Sequence, residues 1–456
     1  MSIAVYLKNN LKNISPGMGR FINRLPYQYR PGIGAIYSRR EKEITSYEAF
    51  SAEEKQSFIF QRMKEIVDFA YQNVPAYKRY YDQEGFRPEE LRGFEDLRKI
   101  PLTSKSILNK YPLEERSFPK QGRYIVNTGG SSGTPFGFYI EPSSIGHEWA
   151  HMHTIWNKLG YKVSDFKLGF GGRSNIRNYV DYDPVRNTFG LDLYSDYKKV
   201  SQKLKEILKT HTVKYLHGYP SSIYDFSIFC KEQDKELQDL LSTQLKGAFM
   251  GSEFPHPHYR AVIENVFGID TISWYGHTER CILAYEKKQK FVYEPFQTYG
   301  YTEVVNKNGI DELVATGYYN QASPLIRYNT NDEVTQPVIE NGILKSFQMK
   351  GGRSGEVVID RDGKRINLTG LIFGRHHEIF NYSKFIQVKQ IKPGIIEIHY
   401  VADSIPENEA AKLFDANNIN MDISFVKEKE PVRTISGKIN LFTINRLKIK
   451  LVGLFL

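Results

Sequence analysis

The chain has 456 residues, of which 40% are hydrophobic and 14% aromatic, and its formal net charge is +10. This length and composition exclude a disordered chain and predict a folded protein with a large core and two or more domains. The two cysteines, Cys230 and Cys281, lack the spacing of a zinc site and are expected to be thiols in a reducing compartment. The sequence shows no signal-peptide h-region and no apolar run of transmembrane length, so we expect a cytoplasmic protein.

The positive charge is concentrated at the two ends of the chain. Residues 1–40 contain seven basic residues and no acid, and the stretch after Glu430 contains five basic residues and no acid. Without these twelve residues, 50 basic residues face 52 acidic ones. A nucleic-acid groove would spread its charge through the fold, so this distribution disfavours a nucleic-acid partner and predicts attraction to another anionic surface.

Residues 1–45 form a basic N-terminal extension with helical periodicity. Its apolar residues recur at roughly helical spacing, with an interruption at Pro16-Gly17: Ile3, Leu7, Leu11, Ile14, Met18, Phe21 and Leu25. The C-terminal stretch from Arg446 to Leu456 also mixes cations with apolar residues. Both patterns predict docking on an anionic membrane surface, such as the inner face of the cell membrane. The alternative is a helix packed on the protein body and a loose tail.

The following elements alternate between helix and strand. Helical patterns cover 47–85, 143–160, 198–210, 221–245 and 257–266, and short apolar strands cover 213–216, 244–250 and 271–274. This alternation predicts an α/β body with parallel strands. From 291 to 350, short strands and turns predict an antiparallel β portion, and the turn-rich stretch 350–355 predicts a linker. We therefore expect a large domain over 46–352 and a small α+β domain over 353–456.

The loop from Thr128 to Pro135, with the sequence TGGSSGTP, is the first motif with chemical potential. It has no bulky side chains, so its backbone N–H groups and hydroxyls can close around phosphate oxygens. The β-forming flanks 124–126 and 138–140 predict that the loop joins two strands. No lysine follows Gly133, which excludes a Walker-type loop, and the spacing is not that of a dinucleotide fingerprint.

Four further motifs follow in order. The first is Gly251-Ser252-Glu253, and the second is the stretch from Trp274 to Glu279, whose aromatic ring, hydroxyl and carboxylate can stack a purine, touch a phosphate and hold magnesium. The third, from Pro324 to Asp332, places Arg327 and Asp332 near one turn, where they suit phosphate and ribose hydroxyls or pair with each other. The fourth is Lys438 after Ser436-Gly437, on a flexible turn or a solvated hairpin tip.

Taken in this order, the motifs resemble those of the adenylate-forming (AMP-binding) superfamily. The resemblance is to the branch of phenylacetate–coenzyme A ligases and their relatives in capsular polysaccharide gene clusters. It extends from about Tyr47 to Leu441 and includes the stretches 70–77 and 217–222. It implies an α/β fold, with a large N-terminal domain of mixed sheets and helices and a small mobile α+β C-terminal domain.

The resemblance also implies the roles of individual residues. It assigns the ATP phosphates to the loop residues Thr128, Gly129, Gly130, Ser131, Ser132, Gly133 and Thr134. It assigns the adenine side to Gly251, Ser252, Glu253, Tyr275 and Gly276, with Tyr275 stacked on the base. It assigns the α-phosphate to Thr278, magnesium to Glu279, the ribose to Asp332, the hinge to Arg353 and catalysis to the mobile Lys438, together with Thr278 and Glu279.

The implied reaction joins a carboxylic acid to ATP, with Mg²⁺ as cofactor, and gives an acyl-adenylate and pyrophosphate. Coenzyme A is the usual acceptor in the family, and a sugar or an amine is the alternative in the capsule-associated relatives. Three departures from the family pattern bear on rate and domain movement. Asn331 replaces the usual glycine, Gly355-Glu356 replaces the hinge aspartate, and the phosphate loop lacks the common lysine.

The acyl group is expected between the helix after the phosphate loop and the stretch 217–222. His147, Trp149, His151 and Trp156 either line this pocket, which suits an aromatic or small apolar acid, or belong to a packed core. The rival hypothesis for the whole chain is a non-catalytic nucleotide-binding scaffold of a polysaccharide biosynthesis complex. The hinge departures favour this rival, and Thr278, Glu279, Asp332 and Lys438 argue against it.

Overall fold

The chain forms a mixed α/β structure, seen here in a computed structural model. The structure describes residues 14–30, 33–128, 136–174, 176–350, 356–375, 377–383, 385–403, 405, 407–432 and 441–443. The phosphate-loop residues 129–135, Arg353 and Lys438 lie outside these residues, as do residues 1–13 and 444–456.

The N-terminal part is helical. Its α-helices are Pro16–Ile22, Gly34–Ala49, Ala52–Asn73, Pro75–Gln83 and Lys105–Leu108, and its 3₁₀ turns are Tyr27–Tyr29, Pro88–Glu90 and Phe94–Lys99. The helix predicted over 47–85 is therefore divided. Ser51 starts a new helix because its hydroxyl accepts a hydrogen bond from the Glu54 backbone N–H, and the Glu54 carboxylate accepts one from the Ser51 N–H. Pro75 then begins another helix, a position that suits proline because its missing N–H is not needed there.

A two-stranded hairpin follows, with β1 at Tyr124–Thr128 and β2 at Phe136–Ile140. The two strands are antiparallel, and Thr128 pairs with Phe136. This confirms the prediction that strands flank the glycine-rich loop. Phe136 and Phe138 are fully buried, so the hairpin is fixed to the core immediately beside that loop.

An eight-stranded sheet forms the centre of the large part. Its strands are β3 Phe166–Phe170, β4 Val180–Asp183, β5 Thr188–Leu191, β6 Val213–Gly218, β7 Gly247–Met250, β8 Asp270–Gly276, β9 Leu283–Tyr285 and β10 Glu294–Pro295. The order is β10-β9-β8-β7-β6-β3-β5-β4. Five neighbouring strands, β8, β7, β6, β3 and β5, run parallel, as predicted. Strand β4 at one edge and strands β9 and β10 at the other edge pair antiparallel.

Helices accompany this sheet because their apolar faces pack on the apolar parallel strands. They are Ser144–Asn157, Tyr197–Leu208, Pro220–Gln233, Lys235–Ser242 and Pro257–Phe267. The helix predicted over 221–245 is two helices, which meet at Asp234. The side chain of Asp234 accepts a hydrogen bond from the Leu237 N–H, and it thereby caps the second helix.

The predicted antiparallel portion is a four-stranded sheet. Its strands, in both chain and spatial order, are β11 Gly300–Lys307, β12 Ile310–Gly317, β13 Tyr328–Glu340 and β14 Ile343–Met349. This sheet shares one hydrophobic core with the N-terminal helices and the β1-β2 hairpin. The start of strand β13 is fixed to the N-terminal part, because the Thr103 backbone bonds to both Arg327 and Asn329.

The C-terminal part has a core around Val388, Ile398 and Tyr400, which also includes Tyr194 of the large part. Its elements are β15 Val357–Ile359, β16 Arg365–Asn367, the helix Leu368–Phe373, the 3₁₀ turns Glu378–Asn381 and Glu407–Leu413, β17 Phe385–Lys392, β18 Ile395–Val401, β19 Asp422–Lys427 and β20 Phe442–Thr443. The last four strands form a sheet in the order β19-β18-β17-β20. These helices and strands form the α+β structure expected for this part of the chain.

The N-terminal residues pack on the large part. The helix Gly34–Ala49 passes through the position 45/46 at which we placed a domain boundary. Tyr27 and Tyr37 are buried in one cluster with Trp156. Within the described ranges, no helix is both long and apolar enough to cross a membrane.

A buried ion pair fixes the helix Pro257–Phe267 to β8 and to the segment after β9. Arg260 donates to both carboxylate oxygens of Glu286, at 2.6 and 2.7 Å, and both side chains are 3% exposed. Replacement of Glu286 by Gln leaves the buried guanidinium with only the longer contact to Glu264, at 3.4 Å, as its counter-charge. We therefore expect Glu286→Gln to lower the free energy of unfolding by about 3 kcal/mol, measured by urea denaturation.

The matched control is Glu115→Gln, which breaks the exposed pair with Arg79. Its expected effect is below about 1 kcal/mol, because water screens exposed charges. Equal effects for the two variants would contradict a structural role of the buried pair.

Candidate active site

The site lies where the carboxyl ends of β7 and β8 meet the β1-β2 hairpin and the start of β13. Parallel strands of an open α/β sheet commonly present ligand-binding residues at this edge. Thr128, the last residue of β1, is the only phosphate-loop residue that the structure describes. The loop residues Gly129, Gly130, Ser131, Ser132, Gly133 and Thr134 fall outside the described part.

The segment Gly251-Ser252-Glu253 directly follows β7. Gly251 is buried, and a Cβ atom there would lie 2.3 Å from the ring of Trp274, so only glycine lets the segment pass this indole. Ser252 is exposed and has a φ of +68°, a left-handed conformation that turns the chain out of the strand. The segment thus leaves the strand end at one exposed residue between two buried ones, and its adenine-side role stays a prediction.

The Glu253 carboxylate faces the protein. It accepts hydrogen bonds from the Ser221 hydroxyl at 2.7 Å, from the Ser221 backbone N–H at 3.2 Å and from the Asn367 amide at 2.8 Å. Asn367 belongs to the C-terminal part, so Glu253 joins that part to the strand end. These contacts give the Glu253 side chain a structural role in this arrangement.

The end of β8 brings an aromatic ring and a carboxylate together. The Tyr275 hydroxyl donates a 2.6 Å hydrogen bond to the Asp332 carboxylate on β13. Burial raises the pKa of Tyr275 well above its usual value, and Asp332 raises it further. The phenol therefore stays protonated and holds the proposed adenine-stacking ring against the proposed ribose-binding carboxylate. Gly276 and Thr278 are exposed beside this pair.

The backbone conformation explains why asparagine can replace glycine at position 331. Asn331 has a φ of +59°, a left-handed conformation that glycine adopts most readily and asparagine tolerates better than most residues. The replacement of the family's usual glycine by asparagine therefore preserves the turn before Asp332.

Glu279 is buried between cationic groups and a phenol. One carboxylate oxygen, Oε1, lies 3.6 Å from Lys105 Nζ and accepts a 3.3 Å hydrogen bond from the Tyr328 hydroxyl. The other, Oε2, lies 3.4 Å from His277 Nδ1. Burial raises the pKa of Glu279, but His277 and Lys105 outweigh burial and bring the pKa down to about 2. Glu279 is therefore an ionised, hard oxygen donor at the strand end.

Lys105 is a candidate site residue that the sequence did not reveal. It begins the short helix Lys105–Leu108, which Ser104 caps by accepting a hydrogen bond from the Ile107 N–H. The preceding Thr103 is fixed to β13 by backbone hydrogen bonds of 2.9 Å in both directions, to Arg327 and from Asn329. No short-range pattern links position 105 to position 279, because the two meet only through this tertiary contact.

Arg327 does not have the ligand role predicted for it. Its guanidinium donates to both oxygens of Glu303, at 2.7 and 2.9 Å, and to the carbonyl oxygens of Arg98 and Ile100, at 2.7 Å each. The alternative prediction, a pair with Asp332, is also wrong. Arg327 is buried, so its function is to fix the start of β13 against the N-terminal part.

Two of the four residues proposed to line an acyl pocket belong to the packed core. Trp156 is 1% exposed and stacks on Phe249. His151 is fully buried, and its ring nitrogens are hydrogen-bonded to the His147 carbonyl and the Thr298 hydroxyl.

The other two also make close aromatic contacts. The His147 ring stacks on Tyr319 at 3.9 Å, and Trp149 lies against the rings of Tyr27 and His153. The core alternative therefore holds for His151 and Trp156, whereas His147 and Trp149 are partly exposed and pack on neighbouring rings.

His217 and Trp274 are instead the aromatic side chains at the strand ends. They stack on each other with ring centres 5.7 Å apart, and both are partly exposed. Burial lowers the pKa of His217 to about 3, and Lys167 contributes in the same direction. A neutral imidazole thus stacks on the indole that lies against Gly251.

The described residues contain no group of three or more His, Cys, Asp and Glu side chains arranged to hold a metal. Glu279 is therefore the candidate metal ligand as a single carboxylate. Magnesium sites commonly combine one or two protein carboxylates with substrate phosphates and water. An ionised oxygen donor at this position fits that kind of site.

Three curated proteins are similar to the chain in sequence. The chain is 26% identical to phenylacetate–coenzyme A ligase of Aromatoleum evansii over 352 residues, which cover 70% of this chain and 75% of the relative. It is 25% identical to the same enzyme of Escherichia coli over 345 residues, with coverage of 70% and 76%. It is 22% identical to Protein CapK of Staphylococcus aureus over 413 residues, with coverage of 85% and 88%. No family profile matches the chain.

Solved structures show the same fold at low sequence identity. The chain superposes on 2-hydroxyisobutyryl-CoA ligase in a postadenylation state with a TM-score of 0.52 and 16% identity, covering 88% of this chain and 91% of that one. The chain is thus similar in sequence to phenylacetate–coenzyme A ligases over most of its length, and it shares its fold with a solved CoA ligase.

Proposed function

We propose that the chain acts as an AMP-forming acid–thiol ligase, which activates a carboxylic acid with ATP and then transfers the acyl group. In the first step, a carboxylate oxygen forms a bond to the α-phosphorus of ATP, and the bond from that phosphorus to the pyrophosphate oxygen breaks. In the second step, the acceptor attacks the acyl carbon, and AMP leaves. The observation that carries this proposal is the ionised Glu279 beside Lys105, next to the Tyr275–Asp332 pair.

Charge neutralisation is the main task of such a site, since the acid and the triphosphate are both anionic. Lys105 would supply one fixed cation close to the phosphates. The positive charge of Lys105 would thus replace that of the lysine that the phosphate loop lacks. Lys438 would supply a second cation from the C-terminal part, and Thr278 an exposed hydroxyl for the α-phosphate.

Magnesium would bind at Glu279. Bound there together with the phosphates, the ion would neutralise part of their negative charge. Lys105 and His277 hold the carboxylate ionised and ready for this role.

The acceptor and the biological setting form the finer part of the proposal. We propose coenzyme A as the acceptor, with a sugar or an amine as the alternative, and a role in cell-surface polysaccharide biosynthesis. The proposed partners also include an anionic membrane surface, because the excess positive charge lies at the chain ends. The similarity to Protein CapK supports this setting by sequence alone.

ATP–pyrophosphate exchange across a panel of carboxylic acids tests the adenylation step. We expect exchange with at least one acid, and Lys438→Ala should lower its rate by about 10²–10³ while ATP binding is unchanged. The matched control is Lys429→Ala, an exposed lysine of the same part of the chain.

Two outcomes would contradict this assignment. Normal exchange in Lys438→Ala would remove Lys438 from catalysis. A complete lack of exchange with every acid, despite measurable ATP binding, would favour the non-catalytic scaffold, which the Gly355-Glu356 departure in the hinge motivates.

Lys105 offers a second, independent prediction. Lys105→Ala should lower the exchange rate by about 10²-fold, and Lys105→Arg should recover part of the activity because it restores the charge. Lys110→Ala, at an exposed position just after the same short helix, should have no effect. An unchanged exchange rate in a Lys105→Ala protein with a wild-type melting temperature would show that Lys105 takes no part.

A further inference from the structure

The segment from Pro16 to Tyr29 exposes an unusual number of large apolar side chains. The helix Pro16–Ile22 and the turn after it direct five of them to solvent, and we call these five the N-terminal face. They are Met18, Phe21, Ile22, Leu25 and Tyr29, with exposed fractions of 56, 66, 46, 45 and 66%. Large apolar side chains exposed together in one short segment are a candidate interaction site in a folded protein.

The backbone under this face is fixed to the large part of the protein. Gly19 is buried beneath the hydroxyl of Tyr182, and a Cβ atom at Gly19 would lie 2.1 Å from that oxygen. The Asn23 amide, also buried, donates to the Gly19 carbonyl at 2.8 Å and to the Pro184 carbonyl at 2.7 Å. The exposed apolar side chains therefore stand on an anchored base and do not belong to a free tail.

Tyr27 completes the anchor. It is 7% exposed, and its ring lies 5.1 Å from Tyr37 and 4.6 Å from His153. Arg30 covers the Tyr27 ring at 3.9 Å and donates to the Asn23 side chain at 3.0 Å. The segment thus buries the Asn23 side chain and the Tyr27 ring, while the five side chains of the N-terminal face remain exposed.

The charge around the face is positive. No acidic residue occurs before Glu41, and Arg20 and Arg24 lie within the segment itself, Arg24 in an exposed position. In the adjoining loop, Val185 is 52% exposed, and the nearby Asp183 is mostly buried and paired with Arg186 at 3.0 Å. The net charge that surrounds the apolar side chains favours an anionic partner.

We propose that the N-terminal face is a docking surface for an anionic lipid bilayer, into whose headgroup region its apolar side chains insert. This proposal builds on the membrane partner proposed above and is independent of the adenylation chemistry. Apolar side chains among cations are the combination that interfacial membrane segments use, since the acyl boundary takes the apolar groups and the anionic headgroups take the cations. A nucleic acid would match the charge alone and leave five large apolar side chains without an apolar partner.

Co-sedimentation of the full chain with lipid vesicles tests this surface. We expect binding to phosphatidylcholine vesicles that contain phosphatidylglycerol, weaker binding to phosphatidylcholine alone, and weaker binding at high salt. Combined Phe21→Ser, Ile22→Ser and Leu25→Ser substitutions should raise the apparent Kd for the mixed vesicles by about tenfold or more, because less apolar surface enters the bilayer. All three positions are exposed, so the fold should be retained.

The matched control is Val338→Ser combined with Ile339→Ser, which removes two exposed apolar side chains from β13, with exposed fractions of 46 and 54%. This control should bind vesicles like the wild type. The wild type and both variants should share one rate of ATP–pyrophosphate exchange without vesicles, so a failure of lipid binding is separable from a failure of the adenylation proposal.

Three results would overturn the lipid assignment. The first is a wild-type chain that does not bind mixed vesicles, and the second is a triple variant that binds them as well as the wild type. The third is a wild-type dimer that becomes a monomer in the triple variant, while vesicle binding is the same for both proteins. The last result, measured by light scattering, would assign the face to a second copy of the chain.

Discussion

The buried carboxylate of Glu279 is the constraint on which the site depends. A carboxylate at the end of a central strand is costly to remove from water unless cations and hydrogen-bond donors surround it. Lys105, His277 and Tyr328 meet that requirement, and they come from three separate stretches of the chain. The N-terminal helices, the central sheet and the antiparallel sheet must therefore assemble correctly before this charge is compensated.

The same assembly depends on a second buried charge. Arg327 fixes the start of β13 by its contacts with Glu303 and with two carbonyl oxygens of the N-terminal part. Because Tyr328 is the next residue, the position of Arg327 also determines where the phenol meets Glu279. Asp332 follows on the same strand, so one anchored strand positions both the partner of Glu279 and the partner of Tyr275.

Much of the fold could be predicted because short-range patterns determine it. The apolar run at 271–274 became β8 at Asp270–Gly276, and the β-forming flanks of the glycine-rich loop became β1 and β2. The helix over 221–245 was predicted as one element, since its periodicity continues past Asp234 and hides the local cap that ends one helix and starts the next. Short-range sequence patterns do not show which helices and strands contact one another.

Tertiary contacts decided the remaining assignments. Trp156 lies on a helix whose aromatic and histidine residues suited either a pocket or a core, and only the packing against Phe249 distinguishes the two. Lys105 and Glu279 are far apart in sequence, so no spacing rule could pair them. Arg327 was placed near Asp332 by sequence proximity, although its partner, Glu303, lies on another strand of the same sheet.

The central claim is that this site joins a carboxylate oxygen to the α-phosphorus of ATP. Mass spectrometry of the AMP formed from ATP and a carboxylic acid labelled with oxygen-18 tests that bond directly. The account predicts one labelled oxygen in AMP after acyl transfer, because the acid oxygen stays with the α-phosphate when AMP leaves. Unlabelled AMP, or label in inorganic phosphate together with ADP, would contradict it.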